Sequence, residues 1–147
     1  MNITTKTIKA DSNVPNILKQ DGVSKSEFNL ANQEITHIPD LIKRYGTDSS
    51  WSHTLVDTKS NSATLICQLP GEGNRRHYHP DWNEWWFIVE GKWEWEIEGE
   101  KKVIRQNDLI FMKKNRKHKI TAIGDKAAIR IAVSRYDVDH VYEKDDY

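Results

Sequence analysis

Residues 71–91 read GEGNRRHYHPDWNEWWFIVEG. This run carries His77, His79, Glu84, two arginines and three tryptophans, and five of the six tryptophans in the chain fall between Trp82 and Trp95. Such a concentration marks either an aromatic pair of core strands or one wall of a site. Alternate residues of a strand point the same way. In EWWFIVE, Trp86 and Ile88 therefore share one face, and Trp85, Phe87 and Val89 share the other. Both faces are apolar, so both need cover. One lines an interior; the other calls for a second sheet, the N-terminal arm or a partner subunit.

Working outward, the same period persists. KWEWEIE sets Trp93, Trp95 and Ile97 inward and Glu94, Glu96 and Glu98 toward solvent. WSHTLVDT and SATLICQLP, separated by the turn-forming KSN, read as a hairpin. RRHYH, KKVIRQ, DLIFM, HKITAIG and AAIRIAVSRY add further short strands. Eight or nine strands in about 85 residues, with no helical period after residue 46, predict an antiparallel sandwich or barrel. Residues 1–49 form an arm, of which 1–32 are polar and weakly patterned; it is either a flexible leader or an extended segment ordered by packing. A short helix is predicted over residues 40–45, after Pro39 and stopped by Gly46. The barrel occupies residues 50–136, and an acidic tail, residues 137–147, lies on the surface.

Bulk composition excludes several classes. At 147 residues the chain suits one domain with its own core. Lys plus Arg and Asp plus Glu both number 22, so charge gives no reason to expect nucleic acid or an anionic membrane. The cluster Lys113, Lys114, Arg116, Lys117 and Lys119 lacks interleaved aromatics and reads as a solvated loop. The N-terminal residues contain no apolar run long enough for a signal peptide or membrane span, which predicts a cytoplasmic protein. A single cysteine, Cys67, in a strand-like setting reads as a buried, inert thiol. No nucleophile elbow or phosphate-binding glycine loop is present.

His77 and His79 stand two apart and project into one space, to which Glu84 can return after PDWN. His118 opens a later strand. Together they form a set of borderline ligands suited to Fe(II), Mn(II), Ni(II), Co(II) or Zn(II). His37, His53 and His140 are read as ordinary surface or core histidines. Trp86 shares parity with Glu84 and is a candidate to face the site; Trp82 lies in the connecting loop and could cap its mouth. Arg75 shares parity with His77. It either clamps a substrate anion inside the barrel or reaches out to solvent as a strand-end residue. Arg130 alternates with Ile129, Ile131 and Val133, and is expected to point out of the cavity.

On these residues the chain resembles the cupins. Gly71, His77, His79, Glu84 and Gly91 match the spacing of the first cupin motif, and NDLIFMKKNRKHKITA resembles the second, with His118 at the histidine position. There Asn107, Lys113 and Asn115 replace a glycine, a proline and the turn glycine; Asn115 can still make the turn, because Asn tolerates left-handed backbone. The resemblance covers residues 51–136 and implies an all-β double-stranded β-helix, or jelly-roll barrel, with a metal held inside by His77, His79, Glu84 and His118. RRHYHPDWNEWWFIVEG is also similar to the matching stretch of 3-hydroxyanthranilate dioxygenases, including an arginine four residues before a ligand histidine. No acidic partner for that substrate is found downstream, so the substrate is not carried over.

The expected function is that of a metal-dependent small-molecule enzyme, first an Fe(II) dioxygenase acting on a carboxylated or otherwise anionic substrate. A Lewis-acid isomerase, lyase or decarboxylase using Mn(II), Ni(II), Co(II) or Zn(II) is the alternative. A non-catalytic binding cupin is the third, and the lack of a helix-turn-helix segment speaks against a regulator. The two-sided strand at residues 85–89, with the polar arm, predicts a homodimer in which the arm adds a strand to the neighbour's sheet.

Overall fold

A computed structural model describes residues 8–143. The first strand, β1 (Ile8–Asp11), leads into helix α1 (Val14–Gln20). Asn13 caps α1 by accepting from the Asn16 amide, and Pro15 sits in the first turn, where no amide partner is needed. A short strand β2 (Lys25–Glu27) precedes helix α2 (Ile38–Tyr45). This second helix starts two residues before the expected boundary, with Pro39 inside its first turn, and Gly46 ends it at φ 76°.

Nine further strands follow: β3 (Trp51–Asp57), β4 (Ser62–Gln68), β5 (Glu84–Glu90), β6 (Lys92–Ile97), β7 (Glu100–Arg105), β8 (Leu109–Met112), β9 (His118–Ile123), β10 (Ala128–Ser134) and β11 (His140–Glu143). They build a six-stranded sheet ordered β2-β3-β4-β10-β5-β8 and a three-stranded sheet ordered β7-β6-β9, with β1 and β11 as a separate pair. The hairpin from β6 to β7 turns in two residues, Glu98 and Gly99, both at positive φ. That backbone matches the twist of the flanking strands.

The two larger sheets face each other across an aromatic core. Trp86, Ile88, Trp93, Trp95, Ile104, Met112, Ile120, Ala122 and Ala128 fill it. Each buried tryptophan removes about 150–250 Å² from water, worth roughly 4–6 kcal/mol at 25 cal/mol per Å². The tryptophan parity expected for β6 is therefore the inward one. A second cluster lies on the outer face of the large sheet. There Leu41, Ile38, Ile42 and Tyr45 of α2 cover Trp51, Leu65, Cys67, Val89, Ile129 and Ile131. Cys67 is buried, and burial pushes its thiol up to about 12. A third cluster, Leu18, Val23 and Ile66, lays α1 against the inner faces of β4 and β10.

Two expectations are corrected. RRHYH is not a strand; it makes only isolated bridges, His77 with His118 and Tyr78 with Val141. Within the chain, β2 of the arm pairs in parallel with β3, and β1 pairs with β11. The tail folds back, burying Val138, Val141 and Tyr142, while residues 144–147 and 1–7 lie outside the described residues. No helix among the described residues is long and apolar enough to cross a membrane.

Gly73 presses the histidine segment onto β9, and any side chain there collides with backbone. A Cβ would sit 1.8 Å from the Ile120 carbonyl oxygen. Gly73→Ala is expected to destabilise the fold by about 1–3 kcal/mol or more, as overpacking does. A melting temperature equal to that of the parent would refute this close approach.

Candidate metal centre

Backbone pairing sets the site. The amides of His77 and His118 each donate to the other's carbonyl, at 3.1 and 2.9 Å. Asn74 secures the same junction twice, its amide donating to Ile120 O and its Oδ1 accepting from Ile120 N. Asn115, in the left-handed region at φ 69°, donates its amide to His79 O at 2.7 Å. The turn that replaces a glycine with Asn115 thus ties the loop after β8 to the first histidine pair. Asn107 likewise takes a left-handed conformation, φ 74°.

The imidazoles are oriented by one repeated device. Each Nδ1 lies on a backbone carbonyl: His77 on Arg75 O (2.7 Å), His79 on Asp139 O (2.9 Å), His118 on Arg116 O (2.8 Å) and His140 on Val138 O (3.2 Å). A carbonyl only accepts, so Nδ1 carries the proton and each neutral ring keeps its lone pair on Nε2. The ligand atoms of His77, His79 and His118 all lie within 4.8 Å of one another, and so do those of His79, Glu84 and His140. Nε2 of His79 and of His118 are buried with no aligned hydrogen-bond partner. Glu84 Oε2 approaches His79 Nε2 at 2.8 Å, but without hydrogen-bond alignment. Buried orphan lone pairs converging beside a carboxylate fit a divalent transition metal, whose bonds to nitrogen run about 2.0–2.1 Å.

The protonation states agree with that donor set. Burial, reinforced by the neighbouring imidazoles, holds His77 well below its usual range. Burial, aided by the charge at His79, brings His118 and His140 to about 4. Burial opposes ionisation of Glu84, yet the charge at His79 and the other imidazoles overcome it and keep the carboxyl below the ordinary range. His79, raised by Glu84 against the cost of burial, is the one imidazole that takes up a proton readily. Glu84 is steadied further by the indole N–H of Trp86, which donates to Oε1.

A cavity beside these groups is lined by His77, Glu84, Trp86, Arg130 and His140, and by Val14, Ile17, Leu18 and Asp21 at α1. Arg130 therefore points in, contrary to expectation. The alternation was right but the side was not, because Ile129 and Ile131 are covered from outside by α2. Arg130 is 3% exposed; its guanidinium stands over the rings of Trp93 and Trp86 at 4.6 and 5.2 Å and donates through Nη1 to Gln68, while Nε has no hydrogen-bond partner among the described residues. Burial lowers its pKa to about 10, which leaves it charged at neutral pH.

Arg75 is placed elsewhere. Its Nε lies 2.5 Å from Asp21, Nη1 donates to Gln20, Nη2 donates to the Tyr142 hydroxyl, and the guanidinium stands over the Tyr142 ring. Parity with His77 fails here because residues 74–79 form no continuous strand. Trp82 packs under Arg135. His37 is exposed, and His53 is a satisfied core histidine facing the Tyr45 hydroxyl. His140 departs from the ordinary role expected of it: its ring stacks on His77 with centroids 4.7 Å apart. The only local signal for it was the strand-like run of residues 138–142.

Residues 64–134 match the family model described as a cupin domain. Polyketide synthase CurC of Streptomyces cyaneus is 30% identical over 73 residues, which is 50% of this chain and 47% of that protein. The chain thus spans about half the length of this curated relative. Among solved structures, an uncharacterised Klebsiella pneumoniae protein with a double-stranded β-helix domain superposes with a TM-score of 0.63 at 16% identity, covering 76% of this chain and 92% of that one. A predicted oxalate decarboxylase from Thermotoga maritima gives 0.54 at 19% identity, covering 57% and 77%. At these identities the structural likeness concerns the fold.

Replacing both His77 and His79 with Ala is expected to abolish stoichiometric metal binding while far-ultraviolet circular dichroism stays that of a β-barrel, since the aromatic core is untouched. Near-full occupancy of the double variant in elemental analysis would end the assignment.

Proposed function

We propose that this chain, whose residues 64–134 match a cupin-domain model and which gathers buried imidazoles and a carboxylate, is a metal-dependent enzyme acting on a small anionic molecule. The observation that carries this reading is the set of Nδ1–carbonyl tethers, which commits Nδ1 of His77, His79 and His118 to the backbone and leaves Nε2 of each as the ligand atom. His77, His79, Glu84 and His118 would hold the ion. When bound, it supplies a Lewis acid or, as Fe(II), a centre able to take up O₂ as well. An Fe(II) dioxygenase is the leading reading, since four protein ligands on an octahedral ion leave two adjacent positions open. Decarboxylation at Mn(II), or isomerisation or lysis at Ni(II), Co(II) or Zn(II), is the second reading, since each ion acts there as a Lewis acid.

The chain's own residues perform the rest. Arg130 takes the anion-binding role first considered for Arg75. Its Nε–H is unpaired, Gln68 steadies Nη1, and the Trp86 and Trp93 rings shield the charge from water. A buried cation of this kind costs free energy until it meets an anion. Arg75 instead fastens α1 through Asp21, and α1 with its apolar face excludes water from the cavity. Trp86 holds Glu84 in place.

Protein purified without chelators or added metal is expected to contain about one transition-metal ion per chain. Iron together with substrate-dependent O₂ uptake would support oxygenation; manganese, nickel, cobalt or zinc without O₂ uptake would favour Lewis-acid chemistry. No bound transition metal after reconstitution would sink the reading. Arg130→Met is expected to fold, because an apolar side chain often replaces a buried charge without loss. It should weaken the binding of small carboxylates about 10- to 150-fold in calorimetry, the worth of a charged hydrogen bond. Equal affinity in parent and variant would remove Arg130 from the anion site.

We infer also that the protein is a homodimer. Trp85, Leu109 and Phe111 are 40%, 63% and 61% exposed, and Trp85 stands opposite Phe111 across β5 and β8. β8 is an edge strand of the six-stranded sheet among the described residues, and such a face suits a second copy of itself. Light scattering should return twice the chain mass of 17.2 kDa, and Phe111→Glu should halve it. A parent mass of one chain would refute the dimer.

A further inference from the structure

His140 belongs to neither of the two motifs that brought the other ligands together. It arrives on β11, and the fold sets its ring against those of His77 and His79. Its ring stacks on His77 at an interplanar angle of 28° and meets His79 edge-on, with centroids 4.6 Å apart. Its Nδ1 is committed to Val138 O, as in the other three imidazoles, so its Nε2 is the ligand atom. That atom closes a second triad with His79 and Glu84, every pair within 4.8 Å. The two triads, His77–His79–His118 and His79–Glu84–His140, have His79 in common.

We propose that His140 is a fifth protein ligand to the metal. The proposal rests on the metal-site reading above and deepens it. Five protein ligands on an octahedral ion leave one open position rather than two. A substrate that binds through two atoms, or one atom together with O₂, then requires His140 to leave the ion. The placement is held by backbone: Tyr78 and Val141 exchange both amide hydrogen bonds, and β11 is paired along its length with β1, Asp11 opposite His140. The N-terminal strand thereby bears on the coordination number, which gives that strand a role at the site beyond covering the barrel.

The alternative is that His140 merely packs as an aromatic ring on His77, and one substitution separates the two. His140→Phe keeps a ring of similar size for the stack but removes the ligand atom. Apo protein and variant are each titrated with Co(II), reading the visible d–d spectrum and the affinity by competition with a chromophoric chelator. The variant is expected to show a changed band intensity and an affinity at least roughly tenfold weaker, since even outer partners of a metal ligand are worth that much. In addition, His118→Ala should still hold Co(II) through His77, His79, Glu84 and His140, and His118→Ala/His140→Phe should bind it at least roughly tenfold more weakly than His118→Ala. If His140→Phe matches the parent in both spectrum and affinity, His140 is a packing residue and the proposal fails while the four-ligand site stands. If the parent itself binds no Co(II), the metal-site reading fails and this proposal with it.

Discussion

The reciprocal amide pairing of His77 with His118 joins two parts of the chain that lie forty-one residues apart, and the candidate centre is built around it. Without it the first motif would be an irregular loop hung between β4 and β5. With it, two imidazoles arrive from one side of the junction and a third from the other, their rings 4.4 to 5.2 Å apart. The pairing depends on the absence of a side chain at Gly73, where the loop meets the backbone of β9. It depends also on Asn115, whose left-handed turn returns the chain to His79. Neither residue touches the centre, yet both decide where the ligands stand.

An interior so rich in ionisable groups is held by pairing and by aromatic enclosure. Buried charge is costly unless it is matched. Glu84 is matched by His79 and by the Trp86 indole, Asp21 by Arg75, and Arg130 in part by Gln68 and two ring faces. Burial raises Asp21 despite Arg75, a sign that the α1 latch sits in a poorly solvated position. Arg130 stands out because its matching is incomplete, which fits a ligand site better than a structural ion pair.

The tryptophan-rich stretch serves two structural ends at once. Trp86, Trp93 and Trp95 fill the space between the sheets, and Trp86 and Trp95 also pack edge-to-face at 4.9 Å. Trp95 lies nearly parallel to His118, so the same ring that belongs to the core supports a candidate ligand. The core and the site are continuous, and the site inherits its rigidity from the core. On the far face, α2 covers Val89 and Ile129 while Trp85 remains half exposed beside Phe111. The two-sided character of β5 thus has two answers, a helix over one end and open surface at the other.

Local sequence determined a large part of this protein. The period-two alternation in β5, β6, β9 and β10 announced an all-β fold, since the side-chain period of a strand is a property of the strand alone. The spacing of His77, His79, Glu84 and His118 marked a candidate ligand set, and the fold brings these side chains near one another. The sequence left other choices open, and only tertiary structure decided them. Alternation says which residues share a face but not which face is inside when both are covered, so Arg130 was assigned to the wrong side. Parity says nothing where no strand forms, so Arg75 went to Asp21 and Tyr142. The pairs β1–β11 and Tyr78–Val141 join opposite regions of the chain, and no short window contains both partners. His140 reached the centre by those long-range pairings alone, because backbone hydrogen bonds between distant segments are satisfied by the fold as a whole rather than by any stretch within it.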